Sequence, residues 1–180
     1  MSLLFLDTEF SGLDQQADLL SLALVDTSGK WFYAHFNEVD PAGLGDWHQT
    51  HVVPYLALSP AQLRALDPAG TYVSGSTAVI VERLRAWLSA CGPVAIWADV
   101  PAYDWVLFCE LFGGAMEIPE NVHYIVRDLA TYLAVSGVDP DIDRYAYAFG
   151  KGGAPAGLPR HNALGDAFCA RAIHRKLRGG

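Results

Sequence analysis

In LLFLDTEFSG, residues 3–12, an apolar run delivers two acids, Asp7 and Glu9, one position apart. On a strand, residues i and i+2 face the same side with Cα atoms roughly 6.5–7 Å apart, so the two carboxylates repel each other. A divalent cation between them resolves that conflict. Hard ions such as Mg²⁺ take oxygen ligands and are gripped by one or two carboxylates each. The plainer alternative is a pair of solvated acids at the end of a strand.

Further acids stand in apolar company. Asp104 lies inside VPAYDWVLF, among Tyr103, Trp105, Val106, Leu107 and Phe108. An acid embedded there is costly to bury unpaired, although the helix dipole also favours an acid in a first turn. Asp166 lies in RHNALGDAF, whose other members near it are small or apolar, and His161 precedes it by five positions. Five helical steps turn the chain by about 500°, so these two would not share a helix face. The spacing suits a helix-borne metal ligand plus a loop-borne base reaching the same site from another direction. A histidine at a helix start is also an ordinary capping or surface residue.

The elements that must carry these residues follow from pattern. Residues 3–7, 18–26 and 31–36 read as strands, the last two joined by the turn Thr27–Lys30, which predicts an antiparallel meander. A short helix falls within 43–51, and another over 60–67, with Ser59 as N-cap and Pro60 in its first turn. Val79, Ile80, Leu84, Trp87 and Leu88 recur at helical spacing within 76–92, and Gly92-Pro93 stops that helix. Residues 94–98 form a strand after it, as a parallel crossover requires. A helix over 101–112, a strand over 122–126 and a helix over 128–136 follow. The stretch 150–160, GKGGAPAGLPR, reads as a flexible linker into a last helix, 162–177. The expected fold is α/β: a single domain over residues 1–180, with a mixed sheet of antiparallel meander plus parallel strands, flanked by helices.

Composition narrows the class. With 52% hydrophobic and 18% charged residues the chain can build a sizeable core. A formal charge of −8 gives no bulk attraction to nucleic acid, which argues against a protein that coats DNA or RNA. An enzyme that meets phosphates through bound cations stays possible. Cys91, Cys109 and Cys169 are odd in number and scattered, as expected of reduced thiols in a cytosolic protein. No signal-peptide pattern and no long apolar span is read, so a soluble protein without a membrane partner is expected.

Taken in order, D-x-E, an acid within an aromatic helix, and H-x-x-x-x-D opening the last helix resemble the DEDDh group of 3′→5′ exonucleases. DTEFSGL is similar to the first motif of that group, ADVPAYDWVLF to the second and HNALGDA to the third. WHQTHVVPYL and WADVPAYDWVLFCELFG extend the resemblance to the small mycobacterial-type 3′→5′ exoribonucleases. The resemblance implies an RNase H-like fold, metal ligation by Asp7, Glu9, Asp104 and Asp166, and His161 as general base. It also implies two Mg²⁺ ions, with Mn²⁺ as a substitute, action on single-stranded RNA 3′ ends, a cytoplasmic location and a homodimer. Trp47, Tyr55 and Leu56 are candidates for the dimer interface. The chain departs from many relatives at Trp97-Ala98-Asp99, where they place Asn or Ser. Asp99 is expected as an exposed loop residue rather than a fifth metal-site acid. Asp128 is expected as a helix cap or a support for the ligands.

On the substrate side, Thr8, Phe10, Leu13, Tyr103 and Phe108 are candidates for contact with terminal nucleotides, since aromatic faces stack bases of any sequence. Lys151 and Arg160 are candidates for phosphate contact, and Gly152, Gly153 and Gly157 hint at a mobile approach for His161. Three rivals stand: a DNA 3′→5′ exonuclease on the same scaffold, a catalytically idle nucleic-acid-binding module, and a metal phosphatase acting on monoesters.

Overall fold

The computed structural model describes residues 1–14, 16–66 and 70–179. Asp67, the expected end of the helix over 60–67, lies outside the described residues. The meander forms as expected. Strand β1 (Ser2–Phe10) pairs antiparallel with β2 (Leu19–Asp26), and β2 with β3 (Trp31–Phe36). Asp26 closes the β2–β3 turn by accepting the backbone N–H groups of Ser28, Gly29 and Lys30 at 2.8, 2.8 and 2.9 Å. Gly29, at φ +100°, supplies the left-handed residue the turn requires.

Helices α1 (Asp46–His51) and α2 (Pro60–Ala65) follow, the second with a reciprocal capping box between Ser59 and Gln62. Strand β4 (Thr71–Gly75) then pairs parallel with β3, α3 (Thr77–Ala90) crosses over, and β5 (Val94–Ala98) pairs parallel with β1. Beyond β5 come α4 (Ala102–Glu110), β6 (Arg127–Asp128), α5 (Leu129–Val135), α6 (Arg144–Phe149) and α7 (Ala163–Leu177). The sheet runs β4-β3-β2-β1-β5-β6.

Strand alternation divides the core. Leu4, Leu6, Leu22 and Leu24 face α3 and α4, meeting Ile80, Leu84, Trp87 and Phe108. On the opposite face Ala23, Val25 and Tyr33 meet Leu164, Ala167 and Phe168 of α7, and Phe5 meets Cys169, Ala170 and Ile173. Burying each large aliphatic side chain of α7 stabilises the fold by about 1.5–3 kcal/mol, which fixes the helix firmly beneath β1.

Several expectations need correction. β1 does not stop at Asp7: its pairing with β2 continues to Phe10, with a register shift between Glu9 and Phe10. A ladder needs only backbone groups, so acidic side chains do not end it. The strand expected over 122–126 reduces to one bridge, Val94 to Val122, and the sheet edge is Arg127–Asp128. Strand β4 and helix α6 were not expected. The 150–160 stretch is anchored rather than free, since Leu158 is buried against α7. Leu56 is also buried, packed with Leu20 and Val52, so it offers no surface for an interface.

Candidate active site

Alternation that puts Phe5 against α7 puts Asp7 and Glu9 on the same face, two and four residues on. Thr8 points the other way. β1 also outruns its parallel neighbour, because pairing with β5 ends at Phe5 opposite Trp97. At Thr8 that edge of β1 is taken by a side chain instead of a strand. Asp104, in the first turn of α4, accepts the Thr8 N–H at 3.0 Å and the Thr8 hydroxyl at 2.7 Å.

Asp166 occupies the first turn of α7, whose N-cap Asn162 accepts the Gly165 N–H at 3.1 Å. Asn162 is only 1% exposed, and its amide donates to the Tyr55 carbonyl at 2.6 Å, tying α7 to the segment after α1. His161, just before the cap, sits at φ +60°. That left-handed conformation costs a non-glycine residue about 1–2 kcal/mol. In return its N–H donates to Asp166 Oδ2 at 2.9 Å, and its ring turns back toward the acids. One ligand atom each from Glu9, His161 and Asp166 lie within 4.8 Å of one another. His161 lies before the helix and reaches the site from the segment that precedes the cap, while Asp166 reaches it from the first turn.

Electrostatics explain what such a cluster needs. Burial, then repulsion from Asp166 and Asp104, pushes Glu9 from its usual 4.5 up to about 8. Burial pushes Asp166 up to about 6, against the hydrogen bonds from Tyr145 and His161. Asp7 is held well above the carboxylate range by burial and by Asp166, Asp104 and Glu9. Burial raises Asp104 as well, against the two Thr8 hydrogen bonds. Among the described residues no lysine or arginine forms an ion pair with any of these four acids. Four carboxylates lining one cavity in that state suit hard divalent cations, although only Glu9 and Asp166 stand with His161 in the close group. His161 is held below its ordinary range by burial and by His51 and Arg160, so its imidazole is neutral at pH 7.

The acids form the floor of a cavity of about 570 Å³, walled by Thr8, Phe10, Gly12, Leu13, Trp47 and His48. Trp47, 52% exposed, meets the His161 ring edge-on with centroids 5.1 Å apart. The sequence offers Trp47 as an interface candidate and His48 only within a resemblance, and nothing local says that α1 closes over His161. His48 Nε2 lies 3.1 Å from the Phe10 carbonyl, which pins α1 to the end of β1.

Not every expected contact residue reaches this cavity. Tyr103 is packed on Phe10, ring centroids 6.0 Å apart, one step behind the wall. Phe108 is fully buried between Trp105 and Phe112 and belongs to the core. Asp99 is not an exposed loop residue: it receives Arg144 Nε at 2.6 Å and Nη2 at 3.1 Å in a half-buried bidentate pair. Asp128 caps α5 and also accepts the N–H of Val100, bracing the strained turn (φ +51°) that leads into α4. Arg160 pairs with Asp143 and lies over the Tyr145 ring, while Lys151 is exposed.

Two proteins of Mycobacterium tuberculosis, each named 3′-5′ exoribonuclease and from different strains, are 32% identical to this chain over 127 residues. The match covers 69% of this chain and 70% of theirs. The chain belongs to the DEDDh-type 3′→5′ exonucleases. No protein-family model matches it. In fold, this DEDDh nuclease is similar to the Pan2 catalytic unit of Neurospora crassa, a protease and nuclease domain, at TM-score 0.51 and 18% identity. That likeness takes in 99% of this chain and 27% of the Pan2 chain, so the exonuclease spans about a quarter of its length. It is also similar to a chain in the structure of the yeast NOT1 MIF4G domain co-crystallised with CAF1, at TM-score 0.54 and 14% identity, over 98% and 79% of the two chains. The architecture is RNase H-like.

One glycine of this DEDDh exonuclease is fixed by close approach. A Cβ on Gly165 would stand 2.8 Å from both the Pro159 carbonyl and the Tyr145 hydroxyl. Overpacking of this kind costs about 1–3 kcal/mol, and here it would push on the segment that carries His161. Gly165→Ala is expected to lower the thermal midpoint by several degrees and to reduce turnover as well; an unchanged midpoint would contradict the tight packing described.

Proposed function

We propose that this exonuclease shortens single-stranded RNA from its 3′ end and releases nucleoside 5′-monophosphates. Asp7, Glu9, Asp104 and Asp166 hold two Mg²⁺ ions, which Mn²⁺ can replace, and His161 is the general base. Four buried and half-buried carboxylates beside a neutral imidazole, on the floor of an apolar-walled cavity, carry this conclusion. Ions held by Asp7, Glu9, Asp104 and Asp166 would supply a water of lowered pKa and offset charge on the departing 3′-oxygen.

The protein's own groups do the rest. His161 takes the proton of the attacking water, as an imidazole neutral at pH 7 can. Its backbone N–H holds Asp166, so ligand and base keep a fixed relation. Thr8 fixes Asp104 through two hydrogen bonds. Phe10, Leu13 and Trp47 offer apolar faces on which terminal bases stack, worth about 1–3 kcal/mol per base. The net charge of −8 disfavours long polyanions and leaves short, single-stranded ends held at the site. A cytoplasmic RNA substrate completes the proposal.

The test is a 5′-labelled RNA with a free 3′-hydroxyl, run beside a sequence-matched DNA, with Mg²⁺ and with EDTA. A ladder growing from the 3′ end of the RNA alone, and only with Mg²⁺, is expected. Preferential cleavage of the DNA would reassign the substrate, and release of inorganic phosphate would make the protein a monoesterase. His161→Ala is expected to lower turnover about 10²–10⁴-fold while calorimetric Mg²⁺ affinity stays within error. A collapse of that affinity would instead make His161 a ligand together with Glu9 and Asp166.

A further inference from the structure

At the end of α7 farthest from the acids, a second cavity of about 280 Å³ opens beside the start of β1 and the turn after β2. Its wall carries Arg171, Arg175 and Arg178 together with the ring of His174. This gathering of cations runs against the chain's formal charge of −8. Basic residues in a last helical turn ordinarily answer the helix macrodipole. That accounts for arginines reaching into solvent, but not for a histidine only 5% exposed.

His174 is boxed by Phe5, Trp97 and Tyr132, with ring centroids 5.1, 4.7 and 5.7 Å away. His174 lines the cavity. Burial, then Arg178 and Arg127, keeps the imidazole below its usual range, so at pH 7 it presents one N–H donor. Arg171 is already oriented, donating Nε and Nη2 to the Thr27 carbonyl at 3.2 and 3.0 Å. Three guanidinium groups around one small cavity, beside an imidazole that can turn an N–H toward it, are suited to a compact anion with several acceptor oxygens.

We propose that this cavity binds a small phosphoryl anion, at a site separate from the nuclease centre. The space is half that of the active-site cavity, too small for a stretch of strand. Asp166 and Arg178 are separated by about 18 Å of helix, so one ligand of this size cannot occupy both sites. Inorganic phosphate and the phosphate of a nucleoside 5′-monophosphate share the required chemistry.

Calorimetric titration of each into EDTA-treated protein tests the site without RNA or divalent metal, in a state where the uncompensated acids repel anions from the nuclease centre. Saturable one-to-one binding is expected. It should weaken about tenfold or more in Arg175→Ala/Arg178→Ala, whose exposed side chains can be removed without disturbing the core. Equal affinity for the two ligands would mean that the phosphoryl group alone is recognised; tighter binding of the nucleotide would add contacts to the nucleoside. Either result supports the site. No saturable binding to the wild-type protein, or the same affinity in the double variant, would overturn it. Because RNA cleavage plays no part in the readout, its outcome is independent of the exonuclease proposal.

Discussion

Asp166→Ala is expected to abolish Mg²⁺-dependent shortening of RNA, by about a thousandfold or more, equivalent to about 4 kcal/mol of transition-state stabilisation. Asp166 is placed to lose this much because it has two jobs. In the proposed mechanism it contributes a carboxylate to the metal-binding set, and its Oδ2 accepts the N–H of His161 at 2.9 Å. Removing it takes a ligand away and frees the strained backbone that carries the base. The fold should survive, since α7 keeps its Asn162 cap and its buried apolar stripe. Circular dichroism should therefore match the wild type. In EDTA the variant should melt no lower than the parent, because one of four repelling buried charges has gone. Unimpaired RNA degradation by the purified variant would refute the assignment of the site.

The second large effect concerns metal-free stability. Glu9 and Asp166 have folded-state pKa values of about 8 and about 6, above their usual 4.5 and 3.8, with burial as the first cause. A raised carboxyl pKa means that the folded protein binds more protons than the unfolded chain in the interval between the two values. Stability then falls as pH rises through that interval. In EDTA the thermal midpoint should drop steadily from about pH 4 to about pH 8, a loss on the order of a few kcal/mol. Saturating Mg²⁺ should remove most of the slope, because a cation that binds only the folded state favours the ionised acids. Thermal melts at several pH values, with EDTA and with Mg²⁺, check this. A flat profile in EDTA would show that the four acids do not repel one another as their burial demands.

Much of this site is legible in the residues themselves because charge in apolar company is conspicuous. Asp7, Asp104 and Asp166 each interrupt a hydrophobic stretch, and the meander announces itself through the turn between β2 and β3. What stays hidden is written in distant pairings. The Thr8–Asp104 contact joins residues 96 positions apart, and no local pattern in either segment shows it. Asp99 reads as a loop acid because Arg144, its partner, comes 45 positions later. Helix α6 was passed over although Asp143 caps it, since Tyr145, Tyr147 and Phe149 alternate with alanines as a strand would. Strand β4 is five residues ending in glycine, and its clearest anchor is Tyr72 stacked on Tyr33 at 5.8 Å. Phe108 shows the opposite failure: an aromatic beside a catalytic-looking acid invites a stacking role, whereas its helix face turns it into the core.

The buried amide of Asn162 grips the Tyr55 carbonyl and the first turn of α7 at once. One jamb of the doorway is thereby bolted to the frame: the Trp47 side cannot swing without loosening the helix that presents Asp166. Leu13, 74% exposed, lines the same cavity without such a bolt among the described residues. Under the proposed function, a strand end would come to rest against the fixed jamb.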